Sequence, residues 1–459
     1  MERVHLLSLG CPKNLVDSEL MLGALTRAGF EVTLDPDLAD VLIVNTCAFI
    51  ESAKRESLAA ILDAAEIKSR AAGRRLVVAG CMAQRYGAEL EASLPEVDVL
   101  VGTGNFLELP EILRRTERPE LRSLRYPGAA HLLPDSSAPR VLSGTPFSSY
   151  LKISEGCNHR CAFCIIPKIR GLHESRPLQD LVLEARTLAR DGVCELNLIA
   201  QDLTAYGRDL SPPTSLAELL WALNEIDGLE WIRLLYCYPN FVSDRLLNAV
   251  AELPKVVKYI DMPLQHGDDS ILQAMRRERS ADALRRLIDR VRDRIPQVAL
   301  RTSFIVGFPG ETDAAFGRLK DFVEAQRFDR LGVFTYSQEE NTAAFEMEAQ
   351  IPGKVKRARR RELMALQAEI SLEKNQALVG QRMRALIESE SPGRNRPARG
   401  RLTTQAPEID GSVFVAGEAG AGEIVDVLIT EALTYDLRAQ VIAEPNRTDV
   451  LNSKGVSFT

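Results

Sequence analysis

The chain has 459 residues, of which 45% are hydrophobic and 26% are charged, and its formal net charge is −7 at pH 7. This length allows about three domains, and the mildly acidic balance is atypical of a general nucleic-acid binder. No apolar run approaches the roughly 18 residues of a membrane-spanning helix, and the first residues lack the pattern of a secretory signal peptide. We therefore expect a soluble protein of several domains with no membrane partner.

Residues 1–118 alternate short apolar runs with helix-forming stretches. Four runs predict buried parallel strands, over residues 4–10, 41–46, 76–80 and 97–102, and helices are predicted at 57–72 and near 107–118. This alternation is typical of a doubly wound parallel sheet. Residues 119–146 are rich in Pro, Gly and Ser, and they predict a linker with little regular structure.

A cysteine follows each of the first three predicted strands, and Cys11, Cys47 and Cys81 form what we name the first cysteine set. Because parallel strands end along one edge of a sheet, we expect these thiols to converge on one crevice. Three converging cysteines favour an iron–sulfur cluster. Buried core cysteines are the alternative, although cysteines that only fill a core have no reason to share the same end of three strands.

The second cysteine set, Cys157, Cys161 and Cys164, follows a predicted strand with the spacing C-x3-C-x2-C. That spacing supplies three thiolates to a 4Fe-4S cluster and leaves one iron open to a small molecule. The alternative is a zinc knuckle with His159 as fourth ligand, which the short loop would strain. Unpaired thiols that bind iron need a reducing compartment, so we expect a cytoplasmic location.

Residues 147–372 form a second alternation of strands and helices. Six strands are predicted, over residues 150–154, 195–200, 231–237, 259–263, 300–306 and 330–336, with helices at 180–191 and 281–294. Six βα units are too few for a closed eight-stranded barrel, so they predict an open, partial (β/α)6 barrel whose site is built by the loops after the strands. Cys194 and Cys237 have no partner spacing, and core packing is expected for both. A position facing the active site is the alternative for Cys237, which lies near the end of a predicted strand.

Together with the second cysteine set, this part of the chain resembles radical S-adenosylmethionine (SAM) enzymes, in which the open iron binds SAM. The resemblance and the loop positions give six candidate SAM contacts: Phe163, Gln201, Asp202, Gln265, Gly307 and Glu311. Gly307 opens a Gly-Phe-Pro-Gly-Glu turn, and its glycines let the backbone approach a ligand closely. Helix capping is the alternative role for Asp202, and core packing is the alternative for Phe163. His266 either transfers protons or binds substrate, or it is a structural histidine.

The third part starts after a strongly basic run. Six of the eight residues from 354 to 361 are Lys or Arg, which indicates either a solvated helix face or a phosphate-facing surface. Short strands with Gly turns follow, over residues 384–388, 412–415, 423–429 and 439–443. They predict a small antiparallel β-barrel within residues 373–446, followed by a C-terminal tail, 447–459.

Nearly the whole chain resembles the methylthiotransferase family, which combines an N-terminal three-cysteine domain, a radical SAM domain and a TRAM barrel. One branch, the RimO type, modifies an aspartate of small-subunit ribosomal protein twelve, and the MiaB-like branch modifies an adenosine of transfer RNA. Residues 8–19, 165–171 and 406–411 resemble the RimO type, including the Cys-Pro-Lys-Asn sequence that begins at Cys11. Gln405 departs from that branch, in which an acidic residue is expected.

The resemblance implies a catalytic 4Fe-4S cluster on the second cysteine set and an auxiliary 4Fe-4S cluster, which carries the added sulfur, on the first. It further implies that one SAM supplies a radical, that a second SAM supplies the methyl group, and that the aspartate β-carbon receives the methylthio group. A reductase such as flavodoxin or ferredoxin is an implied partner. The alternatives are a transfer-RNA adenosine methylthiotransferase and, more remotely, a non-enzymatic iron–sulfur binding module.

The predicted barrel has an acidic part and a basic part, and these favour different binding partners. Residues 402–445 hold eight acidic side chains and one basic side chain, Arg438, whereas residues 374–401 hold seven basic and two acidic side chains. The acidic part would attract a basic ribosomal protein and repel phosphates, and the basic part would favour ribosomal RNA. Charge alone therefore does not decide the substrate.

Overall fold

The computed structural model describes residues 1–115, 124–126, 133–390 and 397–442. Two six-stranded parallel sheets and a closed five-stranded barrel follow one another along the chain. Within the described ranges, no helix combines the length and the apolar character that crossing a membrane requires.

The N-terminal domain alternates strands and helices: β1 (Arg3–Ser8), α1 (Pro12–Arg27), β2 (Glu31–Val32), β3 (Val41–Thr46), α2 (Glu51–Ser69), β4 (Arg75–Gly80), α3 (Cys81–Ser93), β5 (Val99–Val101), α4 (Leu109–Arg115) and β6 (Leu124–Tyr126). The strands pair in parallel in the order β2-β1-β3-β4-β5-β6. Val41 and Ile43 of β3 share a core with α1 and α4, whereas Leu42 and Val44 share one with α2 and α3. The sheet is therefore doubly wound, as predicted, and β6 is an unexpected strand within the predicted linker.

The central domain contains twice as many helices as the N-terminal one. Its elements are β7 (Ser148–Lys152), β8 (Ser154–Glu155), α5 (Ile166–Arg170), β9 (Glu174–Ser175), α6 (Leu178–Arg190), β10 (Glu195–Ile199), α7 (Leu216–Asn224), β11 (Trp231–Leu234), α8 (Asp244–Glu252), β12 (Val256–Asp261), α9 (Asp269–Ala274), α10 (Ala281–Arg294), β13 (Ala299–Val306), α11 (Asp313–Gln326), β14 (Arg330–Thr335) and α12 (Gly353–Gln376). Six parallel strands in the order β14-β13-β12-β11-β10-β7 form an open sheet. Each predicted strand of this domain overlaps one of these six.

Helix α12 begins at the basic run, and the run divides between two environments. Arg359 is buried, where it donates hydrogen bonds to the Glu311 carbonyl oxygen over 3.0 Å and to the Asp313 carboxylate over 2.7 Å. Lys354 and Arg357 are exposed on the helix surface. Part of the run therefore anchors the helix, and part of it faces solvent.

The C-terminal barrel consists of β15 (Arg382–Ser389), β16 (Ala398–Leu402), β17 (Val413–Ala416), β18 (Ile424–Ala432) and β19 (Leu437–Val441). It closes in the order β15-β16-β17-β19-β18. Two details differ from the sequence prediction: β16 was not predicted, and β17 pairs with β19 in parallel, so the barrel is not wholly antiparallel. The predicted tail, 447–459, lies outside the described residues.

The barrel packs against the inner face of the open central sheet. Leu386 and Ala406 of the barrel share a core with Tyr150 and Trp231 of the sheet. Polar contacts continue this interface, because Arg233 Nη1 donates to the carbonyl oxygen of Thr403 over 2.7 Å, and the Tyr259 hydroxyl donates to the carboxylate of Asp410, also over 2.7 Å. The barrel thus covers the inner face of the central sheet, and it leaves uncovered the loops that follow the strands of that sheet.

Candidate active site between two cysteine sets

The first cysteine set lies where three neighbouring strands end. Cys11 caps the start of α1 after β1, Cys47 follows β3, and Cys81 is the first residue of α3 directly after β4. Gly10 has φ +94°, and a Cβ placed there would lie 2.7 Å from the Cys47 Cβ. This close approach of two chain segments requires a glycine, and it brings Cys11 beside Cys47.

Asn14 ties the three cysteine-bearing segments together. Its side-chain amide donates to the carbonyl oxygens of Leu9 and Thr46 over 3.0 and 2.9 Å. Its amide oxygen lies 3.6 Å from the Cys81 sulfur and also accepts a hydrogen bond from Arg170 of the central domain. The turn after β1 is therefore fixed against its neighbours and against the second domain.

The second cysteine set lies in the loop between β8 and α5. The backbone N–H of Cys157 donates to Gly171 over 3.1 Å, and that of Cys164 donates to the carbonyl oxygen of Cys161, also over 3.1 Å. Arg277 donates to the Cys161 sulfur over 3.6 Å, and its guanidinium lies 4.1 Å from the ring centroid of Tyr238. Sequence reasoning did not identify Arg277, because it lies far along the chain in no recognisable motif.

His159 makes other contacts than those of a zinc ligand. Its Nε2 lies 2.7 Å from the Asp202 carboxylate, and its ring stacks on Tyr238 with centroids 3.7 Å apart. Only its backbone N–H approaches a thiol, donating to Cys157 over 3.5 Å. The imidazole of His159 is therefore engaged by Asp202 and Tyr238, which argues against a zinc site with His159 as the fourth ligand.

The chemistry of both cysteine sets fits iron–sulfur clusters. Burial, together with the neighbouring thiols of Cys81 and Cys11, raises the pKa of Cys47 to about 12, and burial raises that of Cys164, also to about 12. Such thiols become thiolates when a metal supplies the compensating positive charge. In the described part of the chain, no three His, Cys, Asp or Glu side chains surround a single metal position. A 4Fe-4S cluster does not need that arrangement, because each thiolate binds a different iron.

The Gly-Phe-Pro-Gly-Glu turn is held together by its own glutamate. Gly307 has φ +71°, and the backbone N–H groups of Gly307 and Phe308 both donate to the buried Glu311 carboxylate. The other oxygen of Glu311 lies 3.7 Å from His266 Nε2, and neither of these two buried atoms has a hydrogen-bond partner. Glu311 therefore holds the turn from within the fold, and His266 lies beside the oxygen of Glu311 that the turn does not use.

The remaining predicted SAM contacts line the loops after the central strands. Gln201 donates to Glu155, and Asp202 accepts from the Thr204 backbone N–H over 2.9 Å, which is the capping role considered above. Gln265 has φ 76° and pairs through its backbone with β13. Phe163 is partly buried against a small core next to the cysteine loop. Of the other cysteines, Cys237 is buried in the main core of the central domain, and Cys194 packs against the separate core that the sheet shares with the barrel.

A buried ionic network connects the two cysteine-bearing domains. The Lys152 ammonium of the central domain lies 2.6 Å from Asp17 of α1 and 2.8 Å from Glu155. Arg170 lies 2.6 Å from Asp17 and also contacts Asn14, the residue next to the Cys81 sulfur. Charges that are this deeply buried must be paired, so the network fixes α1 against the cysteine loop of the second domain. Sequence analysis missed it, although a lysine within an apolar strand was a usable signal.

Lys13 provides a second contact between the domains. Its ammonium lies 3.1 Å from the ring centroid of Tyr236, a residue that follows β11 and has φ 65°. The Tyr236 backbone N–H donates to Asp261 over 3.0 Å. Burial lowers the pKa of Lys13 to about 8, although the nearby Cys11, Asp261 and Glu155 oppose that shift. An ammonium, an aromatic ring and two cysteine sets therefore lie along the same domain boundary.

Comparison with known proteins assigns the chain to a family. Family models match residues 3–102 (Uncharacterized protein family UPF0004), 151–323 (Radical SAM superfamily) and 379–442 (TRAM domain). A ribosomal protein uS12 methylthiotransferase RimO from Anaeromyxobacter sp. (strain Fw109-5) is 50% identical over 447 residues, which cover 97% of this chain and 94% of that protein. The chain belongs to the RimO family. RimO proteins of Geobacter sulfurreducens and Myxococcus xanthus are 48% and 47% identical, over 96% of this chain and 99% and 92% of theirs.

Solved structures agree with the fold of the RimO family member described here. The radical SAM methyltransferase TsrM from Kitasatospora setae, solved with cobalamin and a 4Fe-4S cluster, matches with TM-score 0.53 and 15% identity over 73% of this chain and 75% of that one. The cobalamin-dependent enzyme OxsB matches with TM-score 0.51 and 13% identity over 80% of this chain and 56% of that one. At such low identity these structures inform on the fold alone.

Membership of the RimO family has direct consequences for the predictions. The chain is a transferase of the radical SAM class, a class that uses SAM and a 4Fe-4S cluster. The prediction of a three-part methylthiotransferase with a TRAM barrel is confirmed. The non-enzymatic iron–sulfur module is therefore excluded as an alternative.

Proposed function

We propose that this protein adds a methylthio group to the β-carbon of an aspartate in ribosomal protein uS12, using two 4Fe-4S clusters and two molecules of SAM. The observation that carries the proposal is the buried network of Asp17, Lys152 and Arg170, which holds the two cysteine-bearing loops at one domain boundary. Sulfur insertion at an unactivated carbon requires a radical generator and a sulfur carrier on either side of the same carbon. The names of the closely similar relatives supply the substrate.

The residues divide into three tasks. When bound, the cluster on the second cysteine set supplies the electron that cleaves SAM, and the cluster on the first set supplies the sulfur. We assign the binding of SAM to loop residues after the central strands, Gln201 and Gln265 among them. The ionic network joins α1 to the domain that holds the second cysteine set, and the barrel packs on the inner face of the sheet.

The exposed surface of the barrel carries charged side chains that suit binding partners. Its exposed acidic side chains are Glu408, Glu418, Glu423, Asp426 and Glu431, whereas Asp410 is used in the contact with the sheet and Glu444 lies outside the described residues. Such an acidic surface suits a basic ribosomal protein, and the exposed Arg382 and Arg399 suit ribosomal RNA. We place the reaction in the cytoplasm, with electrons from a flavodoxin- or ferredoxin-type reductase.

The test is a pair of mass spectra from cells with and without the gene. We expect intact uS12 to lose a methylthio-sized mass in the deletion strain, while nucleosides from digested transfer RNA stay unchanged. Loss of a methylthio-adenosine instead, with uS12 unchanged, would assign this chain to transfer RNA. Complementation with the wild-type gene and with a Cys161→Ala variant is the matched control, since only the former should restore the mass.

A further inference from the structure

Lys13 is a buried cation with no hydrogen-bond acceptor among the residues that the structure describes. It lies two residues after Cys11, in the first turn of α1, and it is 7% exposed. The Tyr236 ring covers one side of its ammonium at 3.1 Å. An ammonium carries three N–H donors, and within the described ranges Lys13 donates a hydrogen bond to no residue. Its position therefore leaves donors available at the boundary between the two domains.

The carboxylates nearest to Lys13 are already used by other groups. Asp261 accepts from the Tyr236 backbone N–H and from Arg301 Nη1, the latter over 2.8 Å. Glu155 accepts from Lys152 over 2.8 Å and also from Gln201. These acids have their own partners, and the thiol of Cys11, the other acidic group near Lys13, is a ligand of the proposed auxiliary cluster. The free donors of Lys13 therefore suit an anion that the substrate brings.

Lys13 lies at the domain boundary where the proposed function requires the reacting carbon. The lysine belongs to the segment of the first cysteine set, and the tyrosine beneath it follows a strand of the domain that holds the second set. A substrate carbon that meets both sets must lie at this boundary. An aspartate brought there would bury its carboxylate, which is costly without a positively charged partner.

We propose that Lys13 binds the side-chain carboxylate of the target aspartate and selects it against neutral side chains, an inference that rests on the proposed function above. The β-carbon of aspartate is bonded directly to the carboxylate carbon. A charge-assisted hydrogen bond from Lys13 to a carboxylate oxygen therefore holds the β-carbon two covalent bonds from that oxygen. The Tyr236 ring fixes the lysine side chain, so that the ammonium meets the substrate in one orientation.

The test compares two ligands on four enzymes. Reconstituted, anaerobic holoenzyme is titrated with fluorescently labelled uS12 that carries either Asp or Asn at the modified position. The wild type should bind the Asp form about tenfold to a hundredfold more tightly, the difference expected for one hydrogen bond to a charged group. Lys13→Met should bind both forms alike, Lys13→Arg should keep the preference, and Lys354→Met, at an exposed lysine, should behave as wild type.

The outcomes separate this inference from the proposed function. A Lys13→Met enzyme that still prefers the Asp form overturns the role of Lys13, even if its iron content or cluster spectrum has changed. If Lys13→Met does not fold, Lys13→Gln replaces it, and the same loss of preference is required. If the wild type does not methylthiolate the Asp form, the proposed function fails instead, and that result is read from the wild type alone.

Discussion

The carboxylate of Glu195 lies 2.6 Å from the guanidinium of Arg401, although one residue begins a central strand and the other belongs to the barrel. Both side chains are almost wholly buried. Burial alone would raise the pKa of Glu195, but Arg401 and Arg233 outweigh it and hold the pKa at about 2. The barrel is therefore attached to the radical SAM domain by charge as well as by apolar packing.

Removal of the Arg401 guanidinium should lower the free energy of unfolding of the protein. Arg401→Met leaves the buried Glu195 carboxylate with Arg233 as its remaining cation, and we expect a loss of about 3 kcal/mol in the free energy of unfolding. Arg384→Met is the matched control, because Arg384 pairs with Glu230 at the surface and its loss should cost less than about 1 kcal/mol. Denaturant unfolding of both variants measures the difference, and equal losses would contradict this role of Arg401.

Removal of Lys152 from the ionic network between the two domains should also destabilise the protein. Lys152→Met leaves Asp17 and Glu155 to share Arg170, and we expect a loss of about 3–5 kcal/mol because both carboxylates stay buried. Lys320→Met removes an exposed pair with Glu362 and should change stability by less than about 1 kcal/mol. Thermal unfolding of the apoprotein measures both. Similar melting temperatures would show that the network is not required for stability.

Substitutions in the two cysteine sets should abolish different steps of the reaction. Cys157→Ala should abolish the formation of 5′-deoxyadenosine from SAM and dithionite, because the ligand set of the catalytic cluster is then incomplete. Cys47→Ala should keep this cleavage and lose the methylthiolated product. Chromatography of the nucleoside and mass spectrometry of uS12 measure the two results. Methylthiolated uS12 from Cys47→Ala would rule out an auxiliary cluster on the first cysteine set.

Two glycines of one turn offer a matched comparison. Gly307 has φ +71° and its Cβ would lie 2.3 Å from the Lys356 Cγ, whereas Gly310 has φ +81° and open space around it. Gly310→Ala should cost about 1–2 kcal/mol from its backbone conformation alone. Gly307→Ala should cost more and should also weaken SAM binding, as measured by calorimetry. If Gly307→Ala binds SAM as the wild type does, this turn does not line the SAM site.

The strands of both parallel sheets were largely predictable, because buried parallel strands are short apolar runs between turns. The prediction for β3 matched the residues of the structure, Val41–Thr46. Strand β16 was missed because its two arginines interrupt the apolar pattern that predicts a buried strand. One of them, Arg401, is buried because it pairs with Glu195 of another domain. The parallel pairing of β17 with β19 depends on barrel closure, which no local pattern encodes.

In the candidate site, the positions of cysteines were predictable and their surroundings were not. A cysteine after each apolar run already indicated convergence at a sheet edge. Asp17 and Lys152 are 135 residues apart in the chain, so their ion pair could not be derived from spacing. The same holds for Lys13 and Tyr236, whose contact depends on how two domains meet.

The barrel contact also limits how such enzymes can be recombined. Arg401, Thr403 and Asp410 complete hydrogen bonds and ion pairs of the central sheet, so a chain cut before the barrel would expose the Glu195–Arg233 ion pair to solvent and remove its partners from the barrel. A chimaera that carries the barrel of a distant relative would meet the same mismatch unless its partner positions were exchanged together with it. The barrel and the sheet therefore have to be exchanged as one unit.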